Sequence, residues 1–77
     1  MATTIPGAEV GRWYERYAAS LRHAAARVTN DPDDADDALH ETFLAAWRSR
    51  ERFDVARDPL PWLLTIARRK ALTIVSS

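Results

Sequence analysis

Seventy-seven residues allow one domain with so small an interior that tightly packed helices or a bound partner must help to stabilise it. Cysteine is absent, which excludes disulfides and thiolate zinc sites and fits a reducing cytoplasm. Eleven basic and eleven acidic residues cancel but are not mixed. Residues 1–47 hold four arginines against eight acids, net −4, and residues 48–77 hold seven cations against three acids, net +4. A balanced total of this kind excludes a uniformly basic protein while leaving room for local nucleic-acid binding; solvated helix faces that happen to differ would give it too.

Residues 1–7 carry Thr, Pro and Gly without periodicity and read as a flexible lead-in. MATTIPGAEV lacks the basic start and apolar run of a signal peptide, and no stretch approaches the roughly 20 apolar residues of a membrane span. A cytoplasmic location is the expectation. From Ala8, the positions Val10, Trp13, Tyr14, Tyr17, Leu21, Ala24 or Ala25, and Val28 recur at intervals of three and four. That spacing predicts an amphipathic helix over about 8–29, with Arg12, Glu15, Arg16, Arg22 and Arg27 on its outer face. Thr29-Asn30-Asp31-Pro32 ends it, because the residue before proline avoids helical angles, and so short a link makes the next helix an antiparallel neighbour.

The second predicted helix covers about 32–51. Asp31 caps it, Pro32 takes the first position, and Asp33 and Asp34 place negative charge on the positive end of its dipole. Ala35, Leu39, Phe43 and Ala46 form the core face, widened by Ala38, Thr42 and Trp47; Asp37, His40, Glu41 and Leu44 lie away from it. Arg48 to Arg52 should fray. Residues 53–58 have no helical stripe and read as a loop. Asp58 then caps a third helix over about 59–75, with Pro59 at its first position and Pro61 still in the tolerant first turn. Leu60, Leu63, Leu64, Ile66, Ala67, Ala71 and Ile74 supply its buried face; Arg68, Arg69 and Lys70 lie on its exposed sides. No repeat and no alternating strand pattern occurs. The expected fold is all-α, a compact three-helix bundle.

Catalysis finds little support. His23 and His40 stand far apart in sequence, each inside a predicted helix, where a lone histidine is usually surface. The acidic run Asp31 to Asp37 lacks the glycine and distal glutamate of a calcium loop, and capping explains it better. There is no glycine-rich phosphate loop and no nucleophile elbow. The expectation is a non-enzyme without cofactor or metal. Arg48, Arg50, Arg52, Arg57, Arg68, Arg69 and Lys70 gather around Phe53 and Trp62, which suits single-stranded nucleic acid: cations attract phosphates and rings stack on unpaired bases. Each ring taken alone reads more readily as a seal on the bundle.

DPDDADDALHETFLAAWRSRERFD, followed by PLPWLLTIARRKAL, resembles region 2 of the bacterial extracytoplasmic-function (ECF) sigma factors. Their usual pattern is D-A-E-D-L-x-Q-E-T-F-L-x-A-W, then R-F-D, then W-L-x-x-I-A-R-N. The likeness runs from about Trp13 to Leu72 in several co-linear motifs. It implies a promoter-recognition domain. The second helix would dock on the clamp helices of the β′ subunit of core RNA polymerase through Asp37, His40 and Glu41, with Leu44 or Phe43 adding apolar area. Residues 53–61 would form the loop that receives a base flipped from the non-template strand of the promoter −10 element. Arg52, Phe53, Asp54, Arg57, Trp62, Thr65, Arg68 and Arg69 are the implied DNA contacts.

The chain departs from the pattern at points that bear on these contacts. His40 replaces glutamine, Arg69 asparagine and Thr73 a frequent aspartate, and Trp62 alone stands for the aromatic pair that wedges the duplex in housekeeping relatives. An anti-sigma factor is a further implied partner. Complete members also carry a helix-turn-helix domain for the −35 element, which is not found here, so a fragment or a truncated protein is expected. The competing expectation is a sigma-like helical protein-interaction module that does not bind DNA.

Overall fold

A computed structural model describes residues 7–52 and 57–76. Three helices account for nearly all of them: α1 (Gly7–Thr29), α2 (Pro32–Arg48) and α3 (Leu60–Ser76), with one 3-10 turn, Arg50–Arg52, after α2. Each helix packs against the other two, and no strand occurs among the described residues. The all-α bundle expected from the spacing is the observed fold.

The links follow from local chemistry. Asn30 takes φ 55° and donates its N–H to the Ala26 carbonyl at 2.8 Å, closing α1 with a left-handed residue that asparagine tolerates. Asp31 caps α2 as expected: its Oδ1 accepts from the N–H groups of Asp33 at 2.9 Å and Asp34 at 3.1 Å. Three boundaries differ from expectation. The lead-in does not extend through residue 7, since Gly7 is already helical; residues 1–6 lie outside the described set.

At its far end α2 stops at Arg48 rather than reaching 51. Ser49 leaves the helix at φ −100°, ψ 5°, and the Arg50 guanidinium donates to the Trp47 carbonyl at 2.7 Å while stacking 3.9 Å from that ring. A cation that satisfies the terminal carbonyls makes a better stop than a continued helix of like charges. The third helix begins at Leu60, one residue late. The Pro59 carbonyl accepts the first intrahelical bond, from the Leu63 N–H at 2.9 Å, while the Asp58 carboxylate accepts the Leu60 N–H at 3.0 Å. Pro59 thus occupies the cap and Pro61 the second helical position, where a missing N–H costs nothing.

Two clusters fill the interior. Val10, Trp13, Leu21, Leu39, Phe43, Ala46, Leu63 and Ala67 form one; Ala25, Ala35, Ala38 and Ala71 form the other. Both contain residues of all three helices, in an order that sets α3 parallel to α1 and antiparallel to α2. Thr42 is fully buried, its hydroxyl donating to the Ala38 carbonyl at 2.6 Å. Two expected core residues are not in the core: Trp47 and Tyr14 are about half exposed, at 45% and 48%. Tyr17, Val28, Leu60, Leu64 and Ile74 are half-buried and pack against the two clusters. Lys70, expected outside, is half-buried too.

Candidate functional site

Two surfaces of opposite charge are built on this frame. On α2, Asp37, His40, Glu41 and Leu44 are all exposed. Their spacing of three, four and seven puts them in one strip along the helix. This strip borders an apolar groove between α1 and α2, walled by Val10, Tyr14, Phe43 and Leu44 and closed at its end by Trp47. The Tyr14 and Phe43 rings lie 4.9 Å apart, tilted by 59°. Gly7 permits Trp47 to lie against α1, because a Cβ on Gly7 would meet the indole at 2.6 Å. Sequence periodicity placed Trp47 in the core, yet it stands seven residues after His40 and therefore on the same strip two turns on. That spacing was the available signal.

The basic surface lies where α2 ends and α3 begins. Ser49 and Arg52 form one wall of an open cavity of about 890 Å³, Arg57 and Asp58 another, and Pro61, Trp62 and Thr65 of α3 a third. This volume is within the ordinary range of small-ligand sites, roughly 300–1,000 Å³. Four of the residues expected to contact DNA, Arg52, Arg57, Trp62 and Thr65, therefore share one cavity. Trp62 is half-buried, its ring edge-on to Trp13 at 6.3 Å and 81°, so the indole that lines the cavity is held rigidly. Thr65 donates its hydroxyl hydrogen to the Pro61 carbonyl at 3.0 Å, which leaves the oxygen free to accept. The cavity carries two guanidinium groups against one carboxylate, and that carboxylate already holds the Leu60 N–H.

Phe53 and Asp54, with most of the expected 53–58 loop, lie outside the described residues. Arg68 and Arg69 are both exposed, but they do not act as a pair. Consecutive helical residues diverge by about 100°. Arg69 follows Thr65 by one turn on the cavity side, whereas Arg68 lines a separate groove against α1. Between the helices, Arg22 of α1 donates to Asp36 of α2, and this hydrogen bond, with the charge behind it, raises the already high arginine pKa. Among the described residues no group of histidine and acid side chains is placed to hold a metal, and no helix is long and apolar enough to cross a membrane.

Comparison with known proteins gives a consistent result. The family described as Sigma-70 region 2 matches residues 13–77. The chain is 43% identical over 56 residues to the ECF RNA polymerase sigma factor SigL of Mycobacterium tuberculosis, covering 71% of this chain and 32% of that protein. It is 34% identical over 65 residues to the ECF RNA polymerase sigma factor SigK of Mycobacterium sp. strain KMS, covering 83% and 34%. It is 33% identical over 60 residues to the RNA polymerase sigma factor NccH of Alcaligenes xylosoxydans xylosoxydans, covering 78% and 32%. The chain spans about a third of the length of these relatives. No solved structure matches.

Proposed function

This chain belongs to the Sigma-70 region 2 family, and from that premise we propose that it is the part of a bacterial transcription initiation factor that docks on core RNA polymerase and recognises and opens the promoter −10 element. The observation that carries this reading is the separation of an acidic strip with an apolar groove, along the exposed side of α2, from a basic cavity with an indole in its wall, beyond the C-terminal end of α2. In this reading Asp37, His40 and Glu41 meet basic groups of the β′ clamp helices, since a carboxylate fixed on a helix accepts well from arginine. Leu44, Trp47 and Tyr14 supply the apolar area, and half-exposed aromatic rings are the residue type that dominates such contacts.

On the other side, a base leaving the duplex costs a few kcal/mol of unstacking. Stacking on Trp62 returns about 1–3 kcal/mol, and Arg52, Arg57 and Arg69 offset phosphate charge. Thr65 then offers an acceptor to the base edge. Phe53, Asp54 and Arg68 complete the proposed DNA contacts. An anti-sigma factor would silence the domain by covering either surface. The domain performs no bond chemistry, and its place of action is the cytoplasm.

The test pairs two substitutions with two measurements. Glu41→Arg should abolish capture of a purified β′ clamp-helix fragment and leave strand binding intact. Trp62→Ala should weaken binding to a single-stranded non-template −10 probe by about 1–3 kcal/mol, roughly five- to 150-fold, and leave clamp capture intact. Clamp capture by Glu41→Arg at wild-type strength would move docking off α2. Unchanged strand binding by Trp62→Ala, with clamp capture lost in Glu41→Arg, would leave a protein-interaction module.

A further inference from the structure

The second half of α1 belongs to neither surface above, yet an open groove runs between it and α3. Its floor is apolar, with Val28 and Leu64 half-buried; Ser20, His23 and Arg27 from α1 and Arg68 from α3 stand exposed along its rim. Ser20, His23 and Arg27 are three and four residues apart and so form a row. No carboxylate lines this groove among the described residues. The ion-paired arginines lie elsewhere: Arg12 binds Glu9, and Arg22, on the opposite side of α1, binds Asp36. Neither Arg27 nor Arg68 has an ion-pair partner among the described residues.

Covering Val28 and Leu64 with alkyl stems would account for either arginine alone. It does not account for two guanidinium groups from different helices lining one groove where no acid is placed, one of them from the half of the chain that holds eight acids against four arginines. The charged groups that line it are both cations.

We propose that this groove holds a phosphodiester group of the nucleic acid whose opened strand enters the Trp62 cavity, an inference that rests on the DNA-binding reading above. The Arg27 and Arg68 forks donate to the phosphate oxygens, and Ser20 and His23 add further donors. Position favours nucleic acid over an acidic protein segment. Leu64 and Thr65 are consecutive, so groove and cavity flank the same helix. With its side chains α3 is about 10–12 Å across, close to the roughly 12 Å width of the B-DNA major groove. A backbone gripped on one flank of α3 fixes register for the base received on the other, without reading sequence itself.

Two labelled probes separate the sources of that phosphate: a single non-template −10 strand, and the same strand annealed to leave duplex beside an unpaired segment. Affinity is measured against salt for the chain and for Arg27→Ala, Arg68→Ala and the charge-matched Arg22→Ala. Arg27→Ala and Arg68→Ala should each flatten the slope by about 0.9 on the partly duplex probe, with base preference unchanged and with Arg22→Ala without effect. A matching loss of about 0.7 on the single strand assigns the phosphate to that strand; a loss confined to the other probe assigns it to duplex. Arg27→Ala behaving as Arg22→Ala on both probes overturns the groove. Should Trp62→Ala still weaken binding in that case, the cavity reading survives alone. A wild-type chain that binds neither probe removes both. Circular dichroism of each variant checks that helicity is unchanged.

Discussion

One end of this bundle is filled with tryptophan, phenylalanine and leucine, and the other with four alanines. The spacing between packed helices, about 8–10 Å, is set by the side chains at the contact. Alanines at a contact allow helices to approach closely. Larger residues hold them apart, and the α1/α2 groove and the Trp62 cavity both open at that end. These two surfaces go with bulky packing and exposed rings, whereas the Arg27–Arg68 groove reaches toward the alanine end.

The strongest challenge to this contrast is Leu21→Ala. Leu21 is fully buried, and its truncation should cost about 2–5 kcal/mol, a large part of the 5–15 kcal/mol available to a small domain. Urea denaturation measures it; a loss under about 1 kcal/mol would mean that the bulky end can collapse as tightly as the alanine end. The converse change, Ala71→Leu, forces volume into the close-packed end and should cost about 1–3 kcal/mol by the same assay. A neutral result there would show spare room and remove the distinction.

Smaller effects are expected at the helix starts. Asp31→Ala deletes a carboxylate that holds two N–H groups and should cost about 1 kcal/mol. Asp58→Ala deletes a single such bond and should cost less, which thermal unfolding of the two variants compares directly. Gly7→Ala should change stability least, by no more than about 0.5 kcal/mol, because the ring it displaces is exposed. Its signature is altered Trp47 fluorescence together with weaker capture by the β′ clamp helices. Fluorescence that moves while capture does not would detach Trp47 from the docking face.

The helices were legible because their signals are local: Asp31-Pro32 marks a start, Asn30 a stop, and the apolar residues keep to intervals of three and four. Residues named for the polymerase side, Asp37, His40, Glu41 and Leu44, fall on one exposed strip because spacing alone decides that. Trp47 and Tyr14 were misjudged because hydrophobicity reports a preference for burial, whereas actual burial depends on whether a third helix covers the position. Arg68 and Arg69 look like one basic unit in the sequence, and helix rotation sends Arg68 to the α1/α3 groove and Arg69 to another side of α3. The α1 row of Ser20, His23 and Arg27 gave no signal in the sequence, since its meaning depends on Arg68, more than forty residues away in the chain.

Asn30, the left-handed residue between α1 and α2, also bears on the order of assembly. Reversing the chain within two residues makes closure of that hairpin entropically cheap, whereas α3 must return across the whole stretch from Ser49 to Pro59. Synthesis proceeds from the N-terminal side at about 5–20 residues per second, so a growing chain completes its acidic hairpin seconds before the basic helix exists. A nascent domain would therefore complete its net-acidic half first and gain its net-basic half last.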